Sequence, residues 1–425
     1  MNLTIHRGTH EIGGSCIEIN SSTTRIFLDF GLPLMEKKDH KFGLRKEADK
    51  KTYQELIDEG IAPTVPYFRK RDEKPTVLLL THSHLDHHGL AYWLPNDIPV
   101  YSSMGTKKLL ETAFYFDQSP FNPAKVTILK SQKSVTFGNL TITPFLADHS
   151  AIDAFSYLIA GEGKKIFYSG DIRSHGRTGY KFKNLLANPP TDIDYLILEG
   201  STLGREVQEV KTEIAIEEQL VQELSNEGMY LALFSSQNID RFVSFFKACR
   251  KTKRILVVDP YTASILDSLR DISANLPQFD WGDGFKVYFV NNSYTSRMGK
   301  DNSLYRYKHA KITIEEIRLM SNRIVIKENS AIREKLRKEK MLGECKLIYS
   351  LWSGYLKDDN FWKENDVPII NIHSSGHAYK DDLIRLAEAM KPRRIIPNHT
   401  FNPENFASLF GAKALLLSDG ETFEC

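Results

Sequence analysis

The stretch Thr81-His82-Ser83-His84-Leu85-Asp86-His87-His88-Gly89 constrains this chain more than any other. It follows an apolar run, Thr76-Val77-Leu78-Leu79-Leu80, which reads as a buried strand. Four histidines and an aspartate at the mouth of such a strand cannot be making a core there. Imidazole nitrogens and a carboxylate oxygen suit zinc, and catalytic zinc keeps one position open for water. Side-chain direction along a strand repeats every second residue, so His82 and His84 can project the same way. Asp86 and His87, after a turn, can then serve a second ion. The rival reading is a polar loop of satisfied histidines; it suits a lone histidine better than HxHxDH directly after a strand.

The rest of the chain sets the frame. Its 425 residues make one very large or two ordinary domains, and 41% hydrophobic with 26% charged residues is the range of a soluble globular protein. No apolar run reaches the ~20 residues of a membrane span. The start, Met1-Asn2-Leu3-Thr4-Ile5-His6-Arg7, lacks the apolar core of a signal peptide. Cys16, Cys249, Cys345 and Cys425 lie far apart and form no CxxC, so they read as free thiols in a reducing compartment, and a cytoplasmic location without membrane contact is expected. With a net charge of +2, any nucleic-acid contact has to come from local basic patches.

Taken in order, residues 3–30 give strand, turn, strand, strand. Residues 35–74 are a charged insertion, with Lys37, Lys38, Lys41, Arg45, Lys46, Lys50, Lys51, Arg69, Lys70 and Arg71. A solvated helix and loop is expected there, with a rim for nucleic acid as the alternative. Further on, more acids and histidines sit where apolar strands end: His149, Asp171, Glu199, His373 and His399. A charged Glu199 at such a place is costly unless paired. Between residues 211 and 351 helical and strand patterns alternate. Helices are expected at 213–227, 239–249, 263–276 and 312–320, and strands at 229–234, 254–258, 285–290, 323–327 and 346–351. That alternation argues for a parallel sheet with helices on both faces. Residues 414–425 read as a strand and a short hairpin.

HxHxDH resembles the second motif of the metallo-β-lactamase superfamily. Leu28-Asp29-Phe30-Gly31 resembles its first motif, and His149 and Asp171 stand where its third and fourth fall. Glu199-Gly200-Ser201-Thr202, the segment from Ser374 to His377, and Pro397-Asn398-His399 resemble motifs A, B and C of the β-CASP nucleases, the branch that includes ribonuclease J. The resemblance implies an α/β fold: an αββα sandwich carrying an inserted α/β domain of mainly parallel sheet. The sandwich would take residues 1–208 and 356–425, and the insertion residues 209–355. The resemblance further implies His82, His84 and His149 on one metal, Asp86, His87 and His399 on a second, and Asp171 bridging. Two zinc ions are expected, with manganese as the alternative.

The activity implied is a metal-dependent phosphodiesterase cutting single-stranded RNA through a hydroxide held by two metals. Asp86, Glu199 and His377 form the catalytic set, with His377 giving the leaving oxygen its proton and Glu199 orienting His377. Asp29 and His88 would support the ligands. The junction from Phe234 to Arg241 offers a helix N-terminus for phosphate, with Ser236, Asn238, His373 and Ser375 as candidates; ordinary helix capping is the rival reading. Between residues 294 and 311, Arg297 and Lys300 interleave with Tyr294, Tyr305 and Tyr307, as in surfaces that stack bases and meet phosphates. The chain departs from ribonuclease J in the spacing before Arg241, in Thr400-Phe401 after His399, and in ending at Cys425 without an extra C-terminal domain. A DNA-directed nuclease, a small-molecule metallo-hydrolase and an inactive nucleic-acid-binding subunit are the alternatives. Exonuclease against endonuclease action, and a homodimer, stay open.

Overall fold

Alternation in the first three strands decides the architecture. The computed structural model describes residues 1–34, 45–205, 210–282, 284–356 and 360–425, so Lys37, Lys38 and Lys41 lie outside the described residues. Strands Asn2–Arg7, Cys16–Asn20 and Arg25–Leu28 pair antiparallel. Leu3, Ile5, Ile17, Ile19, Ile26 and Leu28 enter one hydrophobic cluster, while Cys16 and Phe27 enter another. Both faces of the sheet are therefore buried, and the chain has to supply a layer for each.

Two units of chain do this work separately. The first comprises Met1–Phe114, Gln118–Gln208 and Gly376–Cys425; the second comprises Tyr115–Asp117 and Glu209–Ser375. In the first unit, the early strands belong to a seven-stranded sheet ordered Thr422–Glu424, Asn2–Arg7, Cys16–Asn20, Arg25–Leu28, Thr76–Leu79, Val100–Ser102, Val126–Ile128. A six-stranded sheet runs Arg394–Asn398, Tyr195–Glu199, Lys164–Tyr168, Phe155–Gly161, Leu140–Leu146, Val135–Phe137. Phe155, Tyr157, Ile159, Ile166, Ile197 and Ile396 share a cluster with the inward residues of the first sheet, so the two sheets stack face to face. Outside the second sheet, Phe167, Leu196 and Leu198 pack with Phe182, Leu383, Leu386 and Phe406 of helices Tyr180–Ala187, Lys380–Met390 and Glu404–Phe410. Outside the first, Phe27, Leu78 and Leu80 pack with Leu56, Tyr67 and Leu110. Burying one such large apolar side chain contributes about 1.5–3 kcal/mol. The layers are helix, sheet, sheet, helix.

Two sequence expectations change here. The described part of the 35–74 insertion is no solvated loop: Leu56, Ile61, Ala62, Val65 and Tyr67 are buried in the outer core, and Arg25 holds Glu18 and Asp72 at 2.7 Å each. Its charged residues masked the apolar spacing beneath. The terminal hairpin is likewise replaced: Thr422–Glu424 pairs antiparallel with Asn2–Thr4, because an open edge of the first sheet offers backbone groups to a returning strand.

The second unit holds seven strands in the order Lys311–Ile312, Lys286–Tyr288, Ile255–Val258, Ile324–Lys327, Met229–Leu233, Cys345–Tyr349, Ile369–Asn371, with every neighbouring pair parallel. Leu231, Val257, Ile326 and Leu347 pack against Ile317, Ile332, Leu336 and Trp362 on one face, while Tyr230, Leu256, Val258 and Ile348 are buried on the other. The sequence reading ended this unit at residue 355; strand Ile369–Asn371 pairs with Cys345–Tyr349 and carries it to Ser375. The helix expected at 263–276 is Pro260–Ser268, since Asp259 accepts from the Thr262 N–H at 2.8 Å and Pro260 opens the first turn. Among the described residues no helix is long and apolar enough to cross a membrane.

One buried cation ties the strand ends of this unit together. Arg241 is fully buried, pairs with Glu213 at 2.9 Å, and donates to the backbone oxygens of Ser350 at 3.1 Å and Ser374 at 3.3 Å. Arg241→Ala leaves Glu213 as an unpaired buried charge, so unfolding in denaturant should show a loss of about 3–5 kcal/mol. A loss under about 1 kcal/mol would mean that this cluster does not hold the unit together.

Candidate metal centre

The histidine loop is positioned by backbone contact with the segment after the third strand. Phe30 N–H donates to the His87 oxygen at 2.8 Å, Leu32 N–H to Leu85 at 2.9 Å, and Ser15 N–H to Asp86 at 3.2 Å. A Cβ on Gly31 would lie 1.7 Å from the Asp86 oxygen, so only glycine permits this approach. Asp29, which precedes it, sits at φ +59°. The loop then turns into the short helix Leu85–His88, with His84 at its N-cap.

Two ligand sets result. One nitrogen each of His82, His84 and His149 lies within 4.8 Å of the others; so do ligand atoms of Asp86, His87, Asp171 and His399. A third grouping, Asp171, Glu199, His377 and His399, meets the same criterion. Asp171 stands in the middle. Its oxygens lie 3.2 Å from His87 Nε2, 3.8 Å from His82 and His149 Nε2, 3.6 Å from His377 Nδ1 and 3.7 Å from His399 Nδ1.

The arrangement fits a metal ion. Both Asp171 oxygens and His87 Nε2 are buried without a hydrogen-bond partner, a costly state for polar atoms that a cation between them would relieve. Burial, then the neighbouring histidines, press His82 well below the usual imidazole value, and burial brings His84 down to about 4. Burial likewise lowers His149. Neutral imidazole is the form that binds metal. Burial opposes charge on His377, but Glu199 and then Asp171 outweigh it and raise this imidazole to about 9.

Each ligand has its other side fixed. Asp29 holds His87 Nδ1 at 2.8 Å and itself accepts from the Thr81 N–H at 2.7 Å and the Tyr168 hydroxyl at 2.9 Å. His149 Nδ1 faces the Gly376 oxygen at 2.8 Å, and His88 Nδ1 the His84 oxygen at 2.9 Å. Glu199 accepts from the Ile172 N–H at 2.8 Å and lies 3.1 Å from His377 Nδ1. Thr81, Tyr168 and Ser201 belong to this framework and carried no metal-ligand signal in the sequence.

The remaining candidates lie in the second unit. Asn238 caps helix Ile239–Lys251 by accepting from the Arg241 N–H at 3.0 Å, and Ser236 Oγ meets Thr262 Oγ1 at 3.0 Å. His373 and Ser375 are half-buried after strand Ile369–Asn371. Arg297 is no free basic finger: its guanidinium donates to the backbone oxygens of Tyr115 and Phe116, satisfying the otherwise partnerless end of helix Met104–Asp117. Tyr307 is buried against Ser264, whereas Lys300 and Tyr305 are exposed.

Residues 56–214 match a beta-lactamase superfamily domain, and residues 368–403 match a Zn-dependent metallo-hydrolase RNA specificity domain. The transcription termination factor FttA of Methanothermobacter thermautotrophicus is 27% identical over 228 residues, 48% of this chain and 32% of that protein. Ribonuclease J of Sinorhizobium meliloti is 23% identical over 113 residues, 26% of this chain and 20% of that protein. The chain thus spans a third or less of the length of these curated relatives. The crystal structure of a protein of unknown function from Enterococcus faecalis V583 shares the fold, with a TM-score of 0.78, 20% identity and 99% of each chain covered.

The sandwich, the histidine loop and the matched segments identify a protein of the metallo-β-lactamase superfamily. Within it, the parallel-sheet unit, the RNA specificity match and the two named relatives support the β-CASP nuclease branch.

Loss of a carboxylate that orients a metal-bound histidine typically costs about 10–100-fold in metal affinity. Asp29→Ala should weaken zinc binding by that factor in a chelator-competition titration. Wild-type affinity in this variant would leave Asp29 a folding residue only.

Proposed function

We propose that this chain is a metal-dependent phosphodiesterase that hydrolyses single-stranded RNA. The observation that carries the reading is Asp171, shared by the ligand sets and flanked by the His377–Glu199 pair. The RNA choice is supported by the specificity-domain match over residues 368–403, which includes His377 and His399, and by the ribonuclease J relative. A reducing compartment such as the cytoplasm suits the four unpaired cysteines.

His82, His84 and His149 would hold one ion, and Asp86, His87 and His399 a second, with Asp171 bridging. Bound there, two zinc ions, or manganese in their place, would supply positive charge to the phosphoryl group and lower the pKa of water towards neutrality. The chain's own residues do the rest. His377 has 22% of its side chain exposed, so it can reach substrate. Glu199 engages Nδ1, so the proton passed to the leaving oxygen comes from Nε2. Glu199 keeps the ring charged and aimed. Ser236, Asn238, His373 and Ser375 follow the C-terminal ends of parallel strands in the second unit and would anchor a substrate phosphate.

Metal analysis of the purified protein should find about two ions per chain. His84→Ala, or stripping with a chelator, should abolish cleavage of end-labelled single-stranded RNA. Stripped protein that cut at the native rate would end the reading, and equal cutting of a DNA strand would remove its RNA preference.

A general acid is typically worth ~10²–10⁴-fold, so His377→Ala should lose about that much turnover while keeping its metals. The loss should shrink on a p-nitrophenyl phosphodiester, whose leaving group needs no proton. Equal losses on both substrates would exclude the acid role, and a missing metal ion would make His377 a ligand.

A further inference from the structure

We infer that Ser201 is a positioning residue: its hydroxyl links the Glu199 carboxylate to the His399 imidazole and sets which ring nitrogen faces the metal cluster. Ser201 is 1% exposed, and its Oγ lies 2.7 Å from Glu199 Oε2 and 2.7 Å from His399 Nδ1. A hydroxyl has one proton to give. Glu199 accepts from the Ile172 N–H at 2.8 Å, with the Ser201 N–H at 3.4 Å, a setting that favours its ionised form, which has no proton to offer. The Ser201 proton therefore points at Glu199. Were it turned to His399 Nδ1, or to the His399 backbone oxygen at 3.2 Å, oxygen lone pairs would face each other at 2.7 Å.

With the serine proton committed, His399 Nδ1 has to be the donor. Its Nε2 then carries the lone pair and faces Asp86 Oδ2 at 3.2 Å, on the ligand side. The backbone around it is arranged for this contact. His399 sits at φ +52°, an uncommon conformation for a non-glycine residue, fastened by its N–H to the Gly8 oxygen at 2.7 Å. A Cβ on Gly200 would come within 2.7 Å of the Phe406 ring, so glycine lets the chain turn Ser201 back towards Glu199. The same Glu199 oxygen meets His377 Nδ1 at 3.1 Å. One carboxylate oxygen thus orients a ligand histidine through Ser201 and the proposed acid directly.

The inference rests on the metal reading for its consequence, though not for its geometry. Its test uses the full-length protein stripped of metal, with Ser201→Ala and Ser201→Thr. Nitrogen-15 NMR of the histidines should show His399 protonated at Nδ1 in the wild type and Ser201→Thr, and a tautomer mixture in Ser201→Ala. Zinc titration against a chelator should find one site weakened by about 10–100-fold in Ser201→Ala, the other unchanged, and affinity restored in Ser201→Thr. An unchanged tautomer in Ser201→Ala would overturn the inference. So would equal weakening of both sites together with a lower melting temperature of the stripped protein, which would make Ser201 a packing residue. A wild type that bound no zinc yet kept the Nδ1 tautomer would sink the metal reading and leave the Ser201 linkage standing.

Discussion

One buried carboxylate organises this molecule. Asp171 is 2% exposed, faces five imidazoles within 3.8 Å, and lacks a hydrogen bond on either oxygen. Such a cluster is unstable on its own terms: buried charges need compensation, and closely packed imidazoles disfavour protonating one another. Cations held among the ligands answer both demands at once. The surrounding sandwich can then be understood as the device that brings five separate loops to one point.

Each loop arrives from the end of a strand. Thr76–Leu79 delivers the HxHxDH loop, Leu140–Leu146 delivers His149, Lys164–Tyr168 delivers Asp171, Tyr195–Glu199 ends in Glu199, and Arg394–Asn398 delivers His399. Because both sheets are covered on both faces, these strands have little freedom to shift, and the loops inherit that rigidity. Where rigidity alone does not suffice, the chain accepts local strain. Asp29 and His399 both occupy left-handed backbone conformations, and both contact a ligand group of the proposed centre. Their strain is offset by several hydrogen bonds each, including those from Thr81 and Tyr168 to Asp29 and from His399 to Gly8.

The ligand residues were legible because their chemistry conflicts with their context. Histidines and acids after apolar strands have no place in a core, and His82, His84, Asp86, His87, His149, Asp171 and His399 stand out on that ground in order along the chain. The layered fold was legible from strand alternation and from the helix–strand repeat after residue 211. What was not legible is three-dimensional pairing. Ser201 looks like any serine after a strand until His399, far along the chain, is placed 2.7 Å away. Arg297 looks like a free cation until the end of helix Met104–Asp117 supplies its carbonyls. Charge in the 35–74 insertion hid the spacing of Leu56, Val65 and Tyr67, and nothing in residues 422–424 announces that their partner strand is the first in the chain.

The central claim is that Asp171 bridges two ions held by this chain's histidines and carboxylates. Anomalous X-ray diffraction at the zinc absorption edge, on crystals of the full chain grown with zinc, measures it most directly. The account predicts two peaks about 3.5–4 Å apart, the separation of two-metal hydrolytic sites. One should lie against His82, His84 and His149, the other against Asp86, His87 and His399, with Asp171 between them. A single peak, or two peaks with Asp171 touching neither, would contradict it.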